Sequence, residues 1–266
     1  VKKSASLLHR IHRRFPTRTE TVRFGPVKFP FTRAADPNRV LDEVAEEEDR
    51  RERLGSPRNA EPLHLPYWAE LWDSGGGIAQ HLVQRYYSQG QSDSEVSSAC
   101  GFANQGDPIR EAANGSAQER TDLAGRSVLD LGCGQGLTGC VAAALGAKVL
   151  FADLESPALL FAQLNAFPWI DRIRSRRTDW QTDDLGETFD LIIGADILYE
   201  RSQWDFLEPF WRKHLSSDGK IILGEPGRPT GDVFGDWIKP RGWKVELFEQ
   251  RVPSRDRPIR IFELMM

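Results

Sequence analysis

Cysteine is scarce in this chain, with three in 266 residues, at positions 100, 133 and 140. None is spaced C-x-x-C, so no metal site is on offer, and the usage suits a reducing compartment. Long hydrophobic runs are missing as well. No segment approaches the roughly 18 apolar residues needed to cross a bilayer, and the basic N-terminus leads into no hydrophobic signal segment. A cytoplasmic protein without membrane attachment is therefore expected. Val1 stands where an initiator would, so the expectation is that an initiator or a longer leader precedes it. Charge of one sign is also lacking. The net charge is -4 with 28% of residues charged, which selects no class of partner by itself.

The distribution of charge says more. From Lys2 to Arg33 there are nine Lys or Arg and one acid, Glu20, followed by an acidic cluster from Glu46 to Asp49. A solvated, poorly ordered leader is favoured over a nucleic-acid arm for the basic stretch. Within it, Thr21 to Phe31 alternates loosely around Pro26 and Pro30, which suits a small edge strand or hairpin. Asp36-Pro37 is a helix start signal, and Leu41, Val44 and Ala45 share one face of the segment Val40 to Leu54. Residues 1–61 thus make a small N-terminal accessory segment before a main domain at 62–266. Residues 88–122 are rich in Ser, Gln, Gly, Asn and Asp with few large apolar side chains, and such composition does not repay the entropy of ordering. A mobile insertion is expected there.

From Ser127 onward, strand and helix patterns alternate, which calls for an α/β fold with a mostly parallel sheet covered on both faces. The first strand ends in Asp130-Leu-Gly-Cys-Gly-Gln-Gly136, and a helix pattern follows at once. Gly132, Gly134 and Gly136 lack Cβ atoms, so the backbone can turn sharply and admit a ligand to hydrogen-bond distance. Asp153 ends the next strand, where a carboxylate can hold both ribose hydroxyls of a nucleoside. Gly134 to Gly139 also spells G-x-G-x-x-G, the dinucleotide fingerprint. Asp130 argues against that reading, because a carboxylate two residues before the glycines repels a diphosphate and attracts an ammonium and a sulfonium. At the C-terminus, two strand patterns joined by Pro253-Ser-Arg-Asp256 are too close for a parallel crossover and must form an antiparallel hairpin.

Val128 to Gly136 resembles the first motif of the class I S-adenosylmethionine-dependent methyltransferases. The resemblance implies S-adenosylmethionine as cofactor and a Rossmann-like seven-stranded methyltransferase sheet with the C-terminal antiparallel hairpin. Further segments resemble the methyltransferase-like protein lysine methyltransferases. Asp196-Ile-Leu-Tyr199 is similar to their (D/E)-x-x-(Y/F) element, which implies that Asp196 orients or deprotonates the acceptor ammonium with Tyr199 beside it. The alternative for Asp196 is a cap on the following helix. Ile197 and Leu198 replace the two prolines of base and glutamine amino-methylases, which disfavours an exocyclic amine target.

Pro66 to Ser74 is similar to the family's W-x-x-x-W-P-S segment and implies that Trp72 packs on the cofactor. Asp179-Trp180 resembles the adenine-side D-W, and Ala195 falls on the cofactor side of the D-x-x-Y strand. Gly224-Glu-Pro-Gly-Arg228 resembles the G-D-P-G-R of bacterial electron-transfer-flavoprotein β-subunit lysine methyltransferases, and implies that Glu225 attracts a cationic lysine. A protein substrate is accordingly expected. A small-molecule amine acceptor is the alternative and would need a closed apolar pocket over Asp196, whereas a protein needs an open acidic groove lined by Asp196 and Glu225. Nucleic acid is disfavoured as a partner, and would require a positive stripe from Arg10, Arg13 and Arg14 into the cleft.

Overall fold

The computed structural model describes residues 2–53, 65–87 and 123–266, so the insertion expected at 88–122 lies outside the described residues. Helix α1 (Lys2–His12) is followed by strands β1 (Thr17–Phe24) and β2 (Val27–Ala34), then by helices α2 (Pro37–Arg53) and α3 (Asp73–Tyr86). The α/β body runs β3 (Ser127–Leu131), α4 (Leu137–Ala144), β4 (Lys148–Asp153), α5 (Ser156–Asn165), β5 (Ile173–Arg177) and β6 (Phe189–Ala195). It closes with α6 (Trp204–His214), β7 (Leu215–Glu225), α7 (Pro229–Ile238), β8 (Lys244–Gln250) and β9 (Ile259–Met265).

Seven strands form one sheet in the order β5-β4-β3-β6-β7-β9-β8. The first five are parallel; β9 runs antiparallel to β7 and to β8, which is the expected terminal hairpin. The order reverses between β3 and β6, and in open α/β sheets the crevice beyond the carboxyl ends at such a reversal is where ligands bind.

Alternation along the strands builds two cores. In β3 and β4, Val128, Val149 and Phe151 face one side with α3 and α4, while Leu129, Leu131, Leu150 and Ala152 face the other. There Trp204, Leu207 and Trp211 of α6 and Phe234 of α7 cover them. A strand buried on both faces reads as a continuous apolar run, which explains Val-Leu-Asp-Leu and Val-Leu-Phe-Ala. The acid within the first of these runs, Asp130, is therefore inside the protein. A second buried acid, Glu263 on β9, ties α3 to the sheet. Arg85 grips it through Nε at 3.0 Å and Nη2 at 2.8 Å, and its Oε1 lies 2.7 Å from His81 Nε2. Burial alone would raise the Glu263 pKa, but these partners hold it down at about 2.

The hairpin expected around Thr21 to Phe31 is present as β1 and β2, and the helix expected over Val40 to Leu54 as α2; the poorly ordered leader is the part corrected, since α1 and the hairpin occupy that stretch. Arg10, Arg13, Arg14, Arg18, Arg23 and Lys28 are exposed, on elements whose inward positions include Ile11, Val27, Phe29 and Phe31. Val27, Phe29 and Phe31 alternate into the main core, each at most 1% exposed, and burying each phenylalanine contributes roughly 1.5 to 3 kcal/mol. Ile11 and Phe15 pack with Trp68, Ala158 and Phe161 in a smaller cluster, with the Phe15 and Trp68 rings edge to face at 5.2 Å.

Candidate active site

Past the end of β3, the chain turns through Gly132, Gly134 and Gly136 with φ of +63°, +52° and +87°. Glycine is required at both ends of this turn. A Cβ on Gly132 would come within 2.9 Å of Ile197, and one on Gly136 within 2.7 Å of Ala162. Asp130 sits beneath the loop rather than in the crevice. Its Oδ1 accepts the Thr138 hydroxyl and its Oδ2 the Gly139 N–H, both at 2.8 Å, so it fastens the first turn of α4 to β3. Burial lifts its pKa to about 7 against the pull of those two bonds. A direct contact with a cationic ligand, the role expected from its position in the chain, is not what this geometry offers.

Asp153 closes β4 beside the loop. Its Oδ2 accepts the Gly134 N–H at 2.8 Å and its Oδ1 the Glu155 N–H at 2.9 Å. A carboxylate has about four lone-pair positions, so Asp153 retains acceptor capacity for a ligand hydroxyl. Burial raises its pKa to about 6. Trp180, half-buried, lines the same wall, its ring edge 3.6 Å from the Cβ position of Gly132 and its Nε1 bonded to Gln203 at 3.1 Å. Asp179 braces that turn by accepting the Gln181 N–H at 2.9 Å. Ala195, at the end of β6, lies about 4.0 Å from the Cβ position of Gly75, where α3 begins.

Two buried amides that sequence reasoning missed hold this loop from behind. Gln135 accepts the Ala34 N–H at 3.0 Å and donates to the Ala69 carbonyl at 2.8 Å. Asn165 pairs with both backbone groups of Thr32, at 2.7 and 2.9 Å, and donates to the Gln135 carbonyl at 2.9 Å. Strand β2 is thereby docked edge-on to the glycine loop through side chains. An amide inside an apolar helix pattern, as Asn165 is in Leu-Asn-Ala-Phe, is the signal that marks such a bond, because a buried amide has to find partners.

On the other side of the crevice the chain leaves β6 through Asp196, which has φ +59°, the one non-glycine positive φ among the described residues. Asp tolerates this region better than most residues, yet the conformation is held against a cost of order 1 kcal/mol. Ile197 fixes it by filling the space left by two glycines: a Cβ on Gly194 would collide with Ile197, and Gly132 meets it from the loop after β3. Asp196 does not cap α6, which begins at Trp204 after a short 3-10 turn. Its carboxylate is bound instead by Arg228, Nε to Oδ1 at 3.1 Å and Nη2 to Oδ2 at 2.9 Å. Burial moves its pKa upward, with Arg228 opposing.

Tyr199 is 40% exposed and meets Tyr67 edge-on at 5.9 Å; Tyr67 in turn meets Trp72 at 6.3 Å. These three rings form an aromatic rim on the side of the crevice that holds Asp196. Trp72 Nε1 donates to the Tyr67 carbonyl, so the rim is braced by the segment that opens α3. Glu225 does not join the rim. It is 1% exposed, accepts the N–H groups of Gly227 and Arg228, and is paired with Arg260 at 2.7 Å. Its work is to shape the turn carrying Arg228, so the acidic groove expected from Asp196 and Glu225 together presents Asp196 alone of the two. A cavity of about 350 Å³ opens nearby between Trp72, Phe24, Leu137 and Val252, and Asp196 does not line it.

Among the described residues, no group of His, Cys, Asp and Glu is placed to hold a metal ion, and no helix is long and apolar enough to cross a membrane. The sequence model of a family described as lysine methyltransferase matches residues 68–233, more than half of the chain. Protein N-lysine methyltransferase METTL21A of Danio rerio is 38% identical over 112 residues, covering 39% of this chain and 50% of that protein. The electron transfer flavoprotein beta subunit lysine methyltransferase of Danio rerio is 26% identical over 173 residues, 63% of this chain and 52% of that protein. Histidine protein methyltransferase 1 homolog of Dictyostelium discoideum is 34% identical over 113 residues, 40% of this chain and 37% of that protein. The chain spans about half the length or less of these curated relatives.

Proposed function

Since this chain belongs to the lysine methyltransferase family, we propose that it transfers a methyl group from S-adenosylmethionine to the side-chain amine of a lysine in a protein. The observation that carries this reading is the convergence of two unlike groups at one sheet reversal. A glycine loop beside a carboxylate with free lone pairs stands at the ends of β3 and β4, and an acid with exposed aromatic rings stands at the end of β6.

The residues suit the cofactor. Asp153 would accept the ribose hydroxyls, the glycine loop gives the nucleoside close approach to the main chain, and Trp180 offers a face for a purine, worth about 1 to 3 kcal/mol. When bound, S-adenosylmethionine supplies an activated methyl on a cationic sulfur. The protein's own work is then positional: holding the amine in line and keeping water out. Asp196 receives the acceptor ammonium and, with its basicity raised by burial, helps it lose the proton it must shed before attack. The rim rings hold a cation by their faces and give the entry an open, aromatic lip suited to a side chain presented by a macromolecule.

The relative named as a histidine protein methyltransferase supplies the second reading, an imidazole acceptor at the same acid. Methyl-labelled cofactor incubated with host lysate, treated separately with protease and nuclease and then hydrolysed to amino acids, separates the possibilities. Label in methyllysine supports the proposal, label in methylhistidine replaces the acceptor, and label that survives protease removes the protein substrate.

A further inference from the structure

The Asp196–Arg228 pair is built unlike a structural ion pair. The backbone of Arg228 is fixed at both ends, its N–H bonded to Glu225 and its carbonyl accepting Arg260 Nη2 at 2.9 Å. The side chain is 37% exposed and rests over the Trp72 ring, 5.5 Å from its centroid. A rigid base therefore carries an arm that can rotate without disturbing the fold. The place the guanidinium fills, on Asp196 and against the Trp72 ring, has the chemistry that an alkylammonium seeks: a carboxylate on one side and an aromatic face on the other.

We propose that in the free enzyme the Arg228 guanidinium occupies the position the acceptor's ammonium takes during the reaction, so that Arg228 is a surrogate cation and a specificity-determining residue. The inference rests on the lysine reading above. The arriving ammonium displaces the arm, and Asp196 exchanges one charged partner for another, so the buried acid is not left unpaired on the way. A neutral acceptor offers no such exchange and meets a closed carboxylate. The preference for a cationic side chain then comes from competition with an internal cation as well as from attraction to Asp196.

The test uses n-butylammonium as the lysine side-chain probe, with S-adenosylhomocysteine present. In the wild type, the Arg228 Nε–H resonance should shift on addition of n-butylammonium and stay in place with n-butanol. Binding should tighten at least fivefold in Arg228→Gln, change much less in Arg228→Lys, which keeps a competing cation, and disappear in Asp196→Asn. An unmoved Arg228 signal in the wild type, or weaker probe binding in a folded Arg228→Gln, overturns the inference and makes Arg228 a brace for Asp196. Failure here is separable from failure of the function proposed above, because the lysate labelling reports methyllysine whatever Arg228 does.

Discussion

The two halves of the crevice are made differently. The half at β3 and β4 is closed and hydrogen-bonded throughout: Asp130 and Asp153 each carry two bonds from neighbouring donors, and Gln135 and Asn165 pin the loop to β2. The half at β6 is open, with a left-handed acid, three rings each 36% exposed or more, and an arginine arm. Preorganised donors suit a ligand of constant shape, and exposed side chains suit a ligand that varies. The contrast also explains why two acids that look alike in the sequence diverge: Glu225 is locked into a turn, whereas the partner of Asp196 is a partly exposed side chain.

The sharpest way to break this division is Asp196→Ala. Methyl transfer should fall by roughly 10²- to 10⁴-fold, the range for losing a positioned acid or base, while calorimetric binding of S-adenosylhomocysteine stays within twofold. Asp153→Ala should do the reverse, weakening S-adenosylhomocysteine by about 1.5 to 3 kcal/mol for charged hydrogen bonds lost. Unchanged affinity in that variant would detach the ribose from Asp153.

Asn165→Ala probes whether the N-terminal hairpin belongs to the closed half. Orphaning the backbone of Thr32 and the Gln135 carbonyl should cost about 1 to 3 kcal/mol in chemical denaturation, with S-adenosylhomocysteine binding weakened in parallel. If only stability changes, the hairpin is a support for the fold and not for the loop.

The smallest effect is with pH. Asp130 and Asp153 titrate near 7 and 6, well above an ordinary carboxylate at 3.8, so folding takes up protons between about pH 4 and 7 and their contribution to stability declines as pH rises through that window. Glu263 acts the other way. Held at about 2, it adds stability above its ordinary 4.5 that is lost as pH falls toward 2. From these three groups thermal melts should peak at about pH 3.5 to 4 and decline toward pH 7, and S-adenosylhomocysteine affinity should drop as pH falls through about 6, where Asp153 takes up a proton. A melting temperature that climbs steadily to pH 7 would contradict the burial of the two acids.

Most of the closed half is legible in the amino-acid sequence. Three alternating glycines between an apolar run and a helix, and an acid ending the next strand, are demands of the backbone, and a backbone demand leaves its residue type in the chain. The parallel strands and the final hairpin follow from alternation and from a connection too short to cross over. The N-terminal hairpin left its alternation in the chain, but the docking of Val27, Phe29 and Phe31 into the main core is not legible there, because a period-2 pattern has a destination only once a core exists to receive it.

What the sequence determined by itself is thus the fold and the chemical character of the crevice: local geometry and period-2 burial act on neighbours along the chain. What only the tertiary structure decided is the partner of each charge. Asp130 turned inward, Glu225 was consumed by Arg260, and Asp196 met Arg228 from 32 residues away, because a carboxylate's role is set by the donors that folding brings within about 3 Å, and those come from other elements.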